Sequence, residues 1–110
     1  MKLVSLLIEP FRLDAVREHY TAAGVQGMTV TEAGAVGIGR TEVYRGSEVS
    51  TGLDPLVRIE VLVADADVES VISSATAAGA GGRESGGRLW VTPVEDVVRV
   101  RTGERGPDAL

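Results

Sequence analysis

The chain has 110 residues, a net charge of −5 and no cysteine, and 44% of it is hydrophobic. That is the size of one domain with enough apolar mass for a packed interior, which excludes a disordered chain, a disulfide scaffold and a thiolate metal site. A lone histidine excludes a His-based metal cluster, and an acidic balance with no dominant basic face excludes a nucleic-acid partner.

Aromatic residues are only 4%, so the core must be built from Val, Leu, Ile and Ala. So small an aliphatic domain gains from oligomerising, because its surface is large for its volume. No cationic segment leads into a long apolar stretch at the start, so no signal peptide is expected. No run approaches the roughly eighteen apolar residues of a membrane span. The expectation is a cytoplasmic protein with no direct membrane insertion.

In chain order, Lys2–Ile8 (KLVSLLI) reads as a short, mostly apolar strand. Pro10 suits the first turn of a helix, where its missing N–H is harmless. A helix is predicted over Phe11–Ala23, with Phe11, Val16, Tyr20 and Ala23 near one face and Gly24 as its stop. Thr29–Glu32 (TVTE) alternates and reads as a second strand. From Gly34 to Asp54 no strand or helix period is convincing, and a connection of about twenty residues is rare in a compact domain unless it has a job. Leu56–Val63 (LVRIEVLV) is a third strand, with Val57, Ile59, Val61 and Val63 on one face and Arg58 and Glu60 on the other. Asp65 reads as the N-cap of a second helix with apolar stripe Val68, Val71, Ile72, Ala75 and Ala78, ended by Gly79. A glycine-rich turn (Gly79–Gly87) leads to a fourth strand, Arg88–Val91, and Val97–Arg101 reads as a short fifth one. The tail after Gly103 holds Gly, Pro and charges and is expected to be loose.

Strand-helix-strand, loop, strand-helix-strand is the split βαβ pattern of ferredoxin-like folds, so the expected class is α+β. It should give a four-stranded antiparallel sheet with both helices on one face, plus a short C-terminal strand. The other face should be exposed and apolar and should meet copies of itself in an oligomer.

Three stretches could carry chemistry. Gly81-Gly82-Arg83-Glu84-Ser85-Gly86-Gly87-Arg88 combines backbone N–H groups that can approach an anion with guanidinium donors for phosphate; it reads equally as a solvated surface turn. Arg99-Val100-Arg101 on a strand would put two guanidinia on one face roughly 7 Å apart, a span suited to successive phosphates or to acidic partners. Gly37-Ile38-Gly39-Arg40 is only a lone Gly-x-Gly. It lacks the third glycine of a dinucleotide fingerprint, and no Gly-Lys-Ser/Thr phosphate loop exists. His19 reads as a surface residue, and no catalytic residue or metal ligand can be named.

Segments Glu9–Glu18 (EPFRLDAVRE), Gly27–Glu32 (GMTVTE), Thr41–Glu48 (TEVYRGSE), Val57–Glu60 (VRIE), Gly87–Val91 (GRLWV) and Val97–Glu104 (VVRVRTGE) follow in order. Together they resemble the PII signal-transduction proteins, trimeric regulators of nitrogen metabolism, over nearly the whole chain. The resemblance implies one domain over 1–110, with a T-loop at about 34–55, a B-loop at about 81–88, and a C-loop and tail at about 100–110. It implies ATP or ADP, with AMP as a further candidate, bound in clefts between subunits of a homotrimer, and no prosthetic group. Arg88, Arg99 and Arg101 correspond to phosphate-binding residues and Gly86 and Gly87 to the B-loop glycines. Thr29 would lie near ribose or base, and Val63 and Ala64 along the adenine pocket. Gly37, Gly39 and Arg40 would report the γ-phosphate. Thr41, Glu42, Tyr44, Arg45 and Glu48 would meet a protein target, such as a membrane transporter or a metabolic enzyme.

The departures shape the functional expectation. Before Thr41 the chain is about two residues shorter than the family pattern. The Gln that helps hold Mg²⁺ and 2-oxoglutarate is missing, which leaves Mg²⁺ open. A loop Lys that contacts 2-oxoglutarate falls at Leu56, and the modified T-loop Tyr falls at Val49. The resemblance therefore implies a non-enzymatic regulator in one of two versions: an ordinary ATP/ADP/2-oxoglutarate sensor acting on an ammonium transporter, or a divergent ADP or AMP sensor linked to bicarbonate or another pathway. Outside that reading stand an enzyme on the same fold and a purely structural trimer whose arginines form intersubunit ion pairs.

Overall fold

Alternation in the first and third apolar runs produces the centre of the sheet. The structure is a computed structural model that describes residues 1–37, 42–44, 47–49, 53–80 and 87–110. Strand β1 (Lys2–Ile8) lies between β5 (Asp54–Val63) and β6 (Arg88–Pro93), and β2 (Thr29–Ala35) closes the other edge beyond β5. The order β2-β5-β1-β6 is antiparallel throughout. The register pairs Val4 with Val61, Leu6 with Ile59 and Ile8 with Val57. Those residues face helices α1 (Leu13–Ala22) and α2 (Val68–Gly79), which contribute Val16, Tyr20, Val71, Ala75 and Ala78 to the same buried cluster. Two helices on one face of a four-stranded antiparallel sheet is the ferredoxin-like arrangement expected from the element order.

Both helices start later than their sequence signals suggest, because each is preceded by one tight 3-10 turn. Pro10–Arg12 winds as 3-10 and α1 begins at Leu13, so Phe11 is turned outward and is 71% exposed rather than part of the core face. Its ring lies instead under the Arg12 guanidinium, 5.2 Å from the centroid. Asp65 belongs to the 3-10 turn Asp65–Asp67 and caps no helix N–H. Its carboxylate accepts from the Met1 ammonium at 2.7 Å and from Lys2 Nζ at 3.0 Å, and those hydrogen bonds hold it below the usual carboxylate range. The end of α1 follows its signal. Gly24 has φ +88°, its N–H donates to the Thr21 carbonyl, and the Val25 N–H donates to the Tyr20 carbonyl, a Schellman closure.

The long connection carries more strand than its composition suggested. β2 runs on to Ala35, β5 starts at Asp54, and β3 (Glu42–Tyr44) pairs with β4 (Ser47–Val49) as a separate hairpin. The expected fifth strand over Val97–Arg101 does not form. Val98 makes an isolated bridge to Arg105, and the chain then turns back on itself, with the Gly103 N–H donating to the Arg99 carbonyl at 2.7 Å. Gly103 and Gly106, both at positive φ, favour that reversal over an extended edge. The face of the sheet away from the helices is mixed rather than apolar. Leu3, Leu62 and Trp90 share it with Thr29, Thr31, Ser5, Arg58, Glu60 and Arg88. No described helix is long and apolar enough to cross a membrane.

Candidate functional site

The Gly24 reversal starts one wall of a wide cleft. Gly24–Met28 runs from the end of α1 to β2 and, with Thr29, Glu60, Val63 and Ala64, lines a cleft of about 1130 Å³. Thr29, Val63 and Ala64, which the resemblance assigns to ribose and base, thus come together in one place. Antiparallel pairing explains this: Thr29 opens β2 opposite Glu60, three residues before β5 ends at Val63. The charged side chains lining the cleft are carboxylates, Glu60 and Asp67. A negative wall suits an uncharged ring and repels phosphate.

The remaining wall comes from the C-terminal segment, which the composition reads as loose. Instead, Asp96 accepts from Arg105 Nε at 2.9 Å and from its terminal nitrogen. That pairing holds the Asp96 carboxyl below its usual range. The Gly106 N–H donates to the Val97 carbonyl, and Gly106–Ala109 forms a 3-10 turn that brings Pro107, Ala109 and Leu110 to the cleft. Arg99, exposed, donates through a guanidinium nitrogen to the Leu110 backbone oxygen at 3.0 Å. Because 99–103 is a turn, Arg99 and Arg101 do not have the same-face strand spacing expected of them. Arg101 and Val100 sit exposed at the tip of that turn.

The other candidates lie at the opposite end of the sheet. Gly87, at φ +88°, donates its N–H to the Leu7 carbonyl at 3.0 Å, and Arg88 pairs with Leu7. Val63 pairs with Lys2 at the cleft end of the same strand, so about five residues of β1, roughly 17 Å, separate the two ends. Gly37 follows β2 at the end remote from the cleft. Within one copy, therefore, the base-side and B-loop-side residues do not form one pocket. Gly39, Arg40, Thr41, Arg45 and Gly86 lie outside the described residues. Glu42, Tyr44 and Glu48 belong to the β3–β4 hairpin: Glu42 opposes Val49, Glu48 opposes Val43, and Tyr44 opposes Ser47.

Sequence reasoning passed over three parts of the cleft: the Gly24–Met28 wall, Glu60 and the 107–110 segment. The Gly106-Pro107 pair, a turn signal, was the one local hint of the last. Among the described residues no group of three or more His, Cys, Asp or Glu could hold a metal ion.

Comparison with known proteins supplies the family. The family model described as nitrogen regulatory protein P-II matches residues 1–104. The chain is similar to the nitrogen regulatory protein P-II of Azospirillum brasilense (46% identical) and that of Rhizobium meliloti strain 1021 (45%), in each case over 112 aligned positions covering all of both chains. It is likewise 41% identical, with full coverage of both, to nitrogen regulatory protein GlnK of Escherichia coli strain K12. Agreement of this extent, on a fold with the expected strand order, means that the chain belongs to the nitrogen regulatory protein P-II family.

Proposed function

We propose that this protein is a non-enzymatic signalling regulator that binds an adenine nucleotide between copies of the chain, as a homotrimer, and controls a target protein through the segment 34–55. One observation carries the reading. The residues suited to ribose and base, and the glycine and arginine suited to phosphate at Gly87–Arg88, stand at opposite ends of one sheet. A site of both kinds is completed when the cleft end of one copy meets the β6 end of the next. Base and ribose then lie against Thr29, Val63 and Ala64, and Arg99 and Arg101 of the adjoining turn reach for the phosphates. The phosphates run toward Gly37, Gly39, Arg40, Gly86, Gly87 and Arg88 of the neighbour. Backbone N–H groups and guanidinia stabilise the phosphate charge, while the carboxylate wall keeps phosphates out of the base end.

Signalling needs differential affinity. ATP and ADP move the 34–55 segment only by as much as each prefers one of its arrangements, and a tenfold preference corresponds to about 1.4 kcal/mol. Thr41, Glu42, Tyr44, Arg45 and Glu48 then present or withdraw a surface for a target, with a membrane transporter or a metabolic enzyme as the candidates. The relatives' names support a role in nitrogen regulation. Leu56 and Val49, standing where the family pattern has effector and modification groups, support a divergent sensor of ADP or AMP with another small anion such as bicarbonate.

Isothermal titration calorimetry with ATP, ADP and AMP, each with Mg²⁺ and with or without 2-oxoglutarate or bicarbonate, tests the reading. Binding of ATP that tightens with 2-oxoglutarate supports the ordinary nitrogen sensor. ADP or AMP binding indifferent to 2-oxoglutarate supports the divergent one. No nucleotide binding by the assembled protein rejects both and leaves a structural oligomer.

A further inference from the structure

Helix α2 closes with one long turn bond, the Ala80 N–H donating to the Ala77 carbonyl at 3.4 Å. Its last turn contains no basic residue, and Ala80, which follows it, is extended at φ −60°, ψ 135°, where a left-handed glycine would commonly close the end. The Ala78 and Ala80 carbonyls stand at the negative end of the helix dipole, where a cationic donor is favoured. Arg12 answers them from a different part of the chain. It lies in the 3-10 turn before α1, with a side chain only 17% exposed. One terminal nitrogen donates to the Ala78 carbonyl at 3.4 Å and to the Ala80 carbonyl at 3.2 Å. Its buried Nε makes no hydrogen bond among the described residues but lies 3.6 Å from Glu9 Oε1, which balances the charge.

The position held in this way borders the phosphate end of the site. Ala80 and Gly87 line one small hollow of about 240 Å³, together with Ile8 and Leu89. Gly87 is tied to β1 by its N–H bond to the Leu7 carbonyl, and Arg88 comes next. Arg12 thus fixes one rim of the gap whose other rim starts the phosphate-binding strand. We infer that Arg12 is a positioning residue: it touches no ligand, and by clamping Ala78 and Ala80 it holds Gly87 and Arg88 where they can meet phosphate. The inference rests on the nucleotide reading above, and it is tested by two readouts, one of which needs no nucleotide.

The first readout is affinity for adenosine, ADP and ATP, measured on the full-length wild type, Arg12→Met and Arg12→Lys. Methionine keeps the apolar stem and removes the donors. Loss of a charge-assisted clamp is expected to weaken ADP and ATP about tenfold in R12M and to leave adenosine within about twofold. Lysine restores the charge without the planar fork, so R12K is expected to return to within about threefold of wild type. A general loss of folding would weaken all three ligands alike. The second readout is amide hydrogen exchange without ligand. R12M is expected to speed exchange at Gly87 about tenfold while the Val4 and Ile59 amides keep wild-type protection. Should R12M not fold, R12K decides on both readouts, with smaller shifts of the same pattern. Wild-type affinity for ATP in R12M, equal loss of adenosine and ATP, or unchanged exchange at Gly87 would each overturn the inference. If the wild type binds no nucleotide, the functional reading falls by itself, and the exchange result alone judges the clamp.

Discussion

Tyr20 illustrates how a single side chain can sit against its own chemistry. It is 1% exposed in the core, its hydroxyl has no hydrogen-bond partner among the described residues, and burial pushes its pKa from 10.0 to about 12. A buried unpaired hydroxyl is a cost that the ring's apolar contacts must offset. Tyr20→Phe is therefore expected to leave thermal stability unchanged or slightly raised, as calorimetry would read. The raised pKa means the folded state favours the protonated phenol. That contribution is complete below pH 10.0 and is lost as pH rises through about 12, so the wild type should lose stability across that alkaline window and Tyr20→Phe should be less sensitive there. At the surface, Asp96 has the opposite sign. Its lowered pKa, set by the Arg105 hydrogen bonds, contributes above the unfolded carboxylate's pKa and is lost as pH falls through the folded one. Asp96→Asn should speed amide exchange at Gly106 and leave the sheet amides as they were.

At the level of elements, the α1–β2 connection depends on one glycine. Gly24 has open space where a side chain would stand, so the obstacle to any other residue is its φ of +88° alone. Gly24→Ala should lower stability by about 1–2 kcal/mol in chemical denaturation, the usual strain of a left-handed non-glycine residue. A loss near zero would mean that the Schellman closure relaxes without consequence. The pairing of β1 with β5 is the other dependence. Ile59 is fully buried opposite Leu6, and Ile59→Ala should cost about 2–5 kcal/mol through lost contact and residual cavity. The element signals were legible where periodicity was strong, as in β1, β5 and both helices. They failed at the 3-10 entries, where Phe11 and Asp65 follow a three-residue pitch that apolar spacing does not reveal.

For the whole molecule, the question is what covers the open face of the sheet. Leu62 is 46% exposed and Trp90 39%, with Arg58 stacked 5.9 Å from the Trp90 ring centroid. Light scattering is expected to give three copies, and Trp90→Glu should return the protein to single copies by replacing the largest apolar group of that face with a charge. On the proposed reading each copy holds only part of the site, so nucleotide affinity should disappear with the assembly. A Trp90→Glu protein that stays trimeric would move the interface elsewhere.

The sequence by itself determined the order of the four sheet strands and two helices, the core faces of β1 and β5, the family resemblance and the residue types suited to an anion. These are properties of local period and of matched segments, which need no knowledge of distant contacts. Only the tertiary structure decided where those residues stand. It put Thr29, Val63 and Ala64 in one cleft because β2 and β5 pair in antiparallel register. It folded the 107–110 segment against them through a hairpin held by Asp96 and Arg105. It turned Arg99 and Arg101 off the expected strand, and it brought Arg12 across to the end of α2. Pairing register and long-range hydrogen bonds join residues tens of positions apart, and no local pattern in the chain records which of the available partners is chosen.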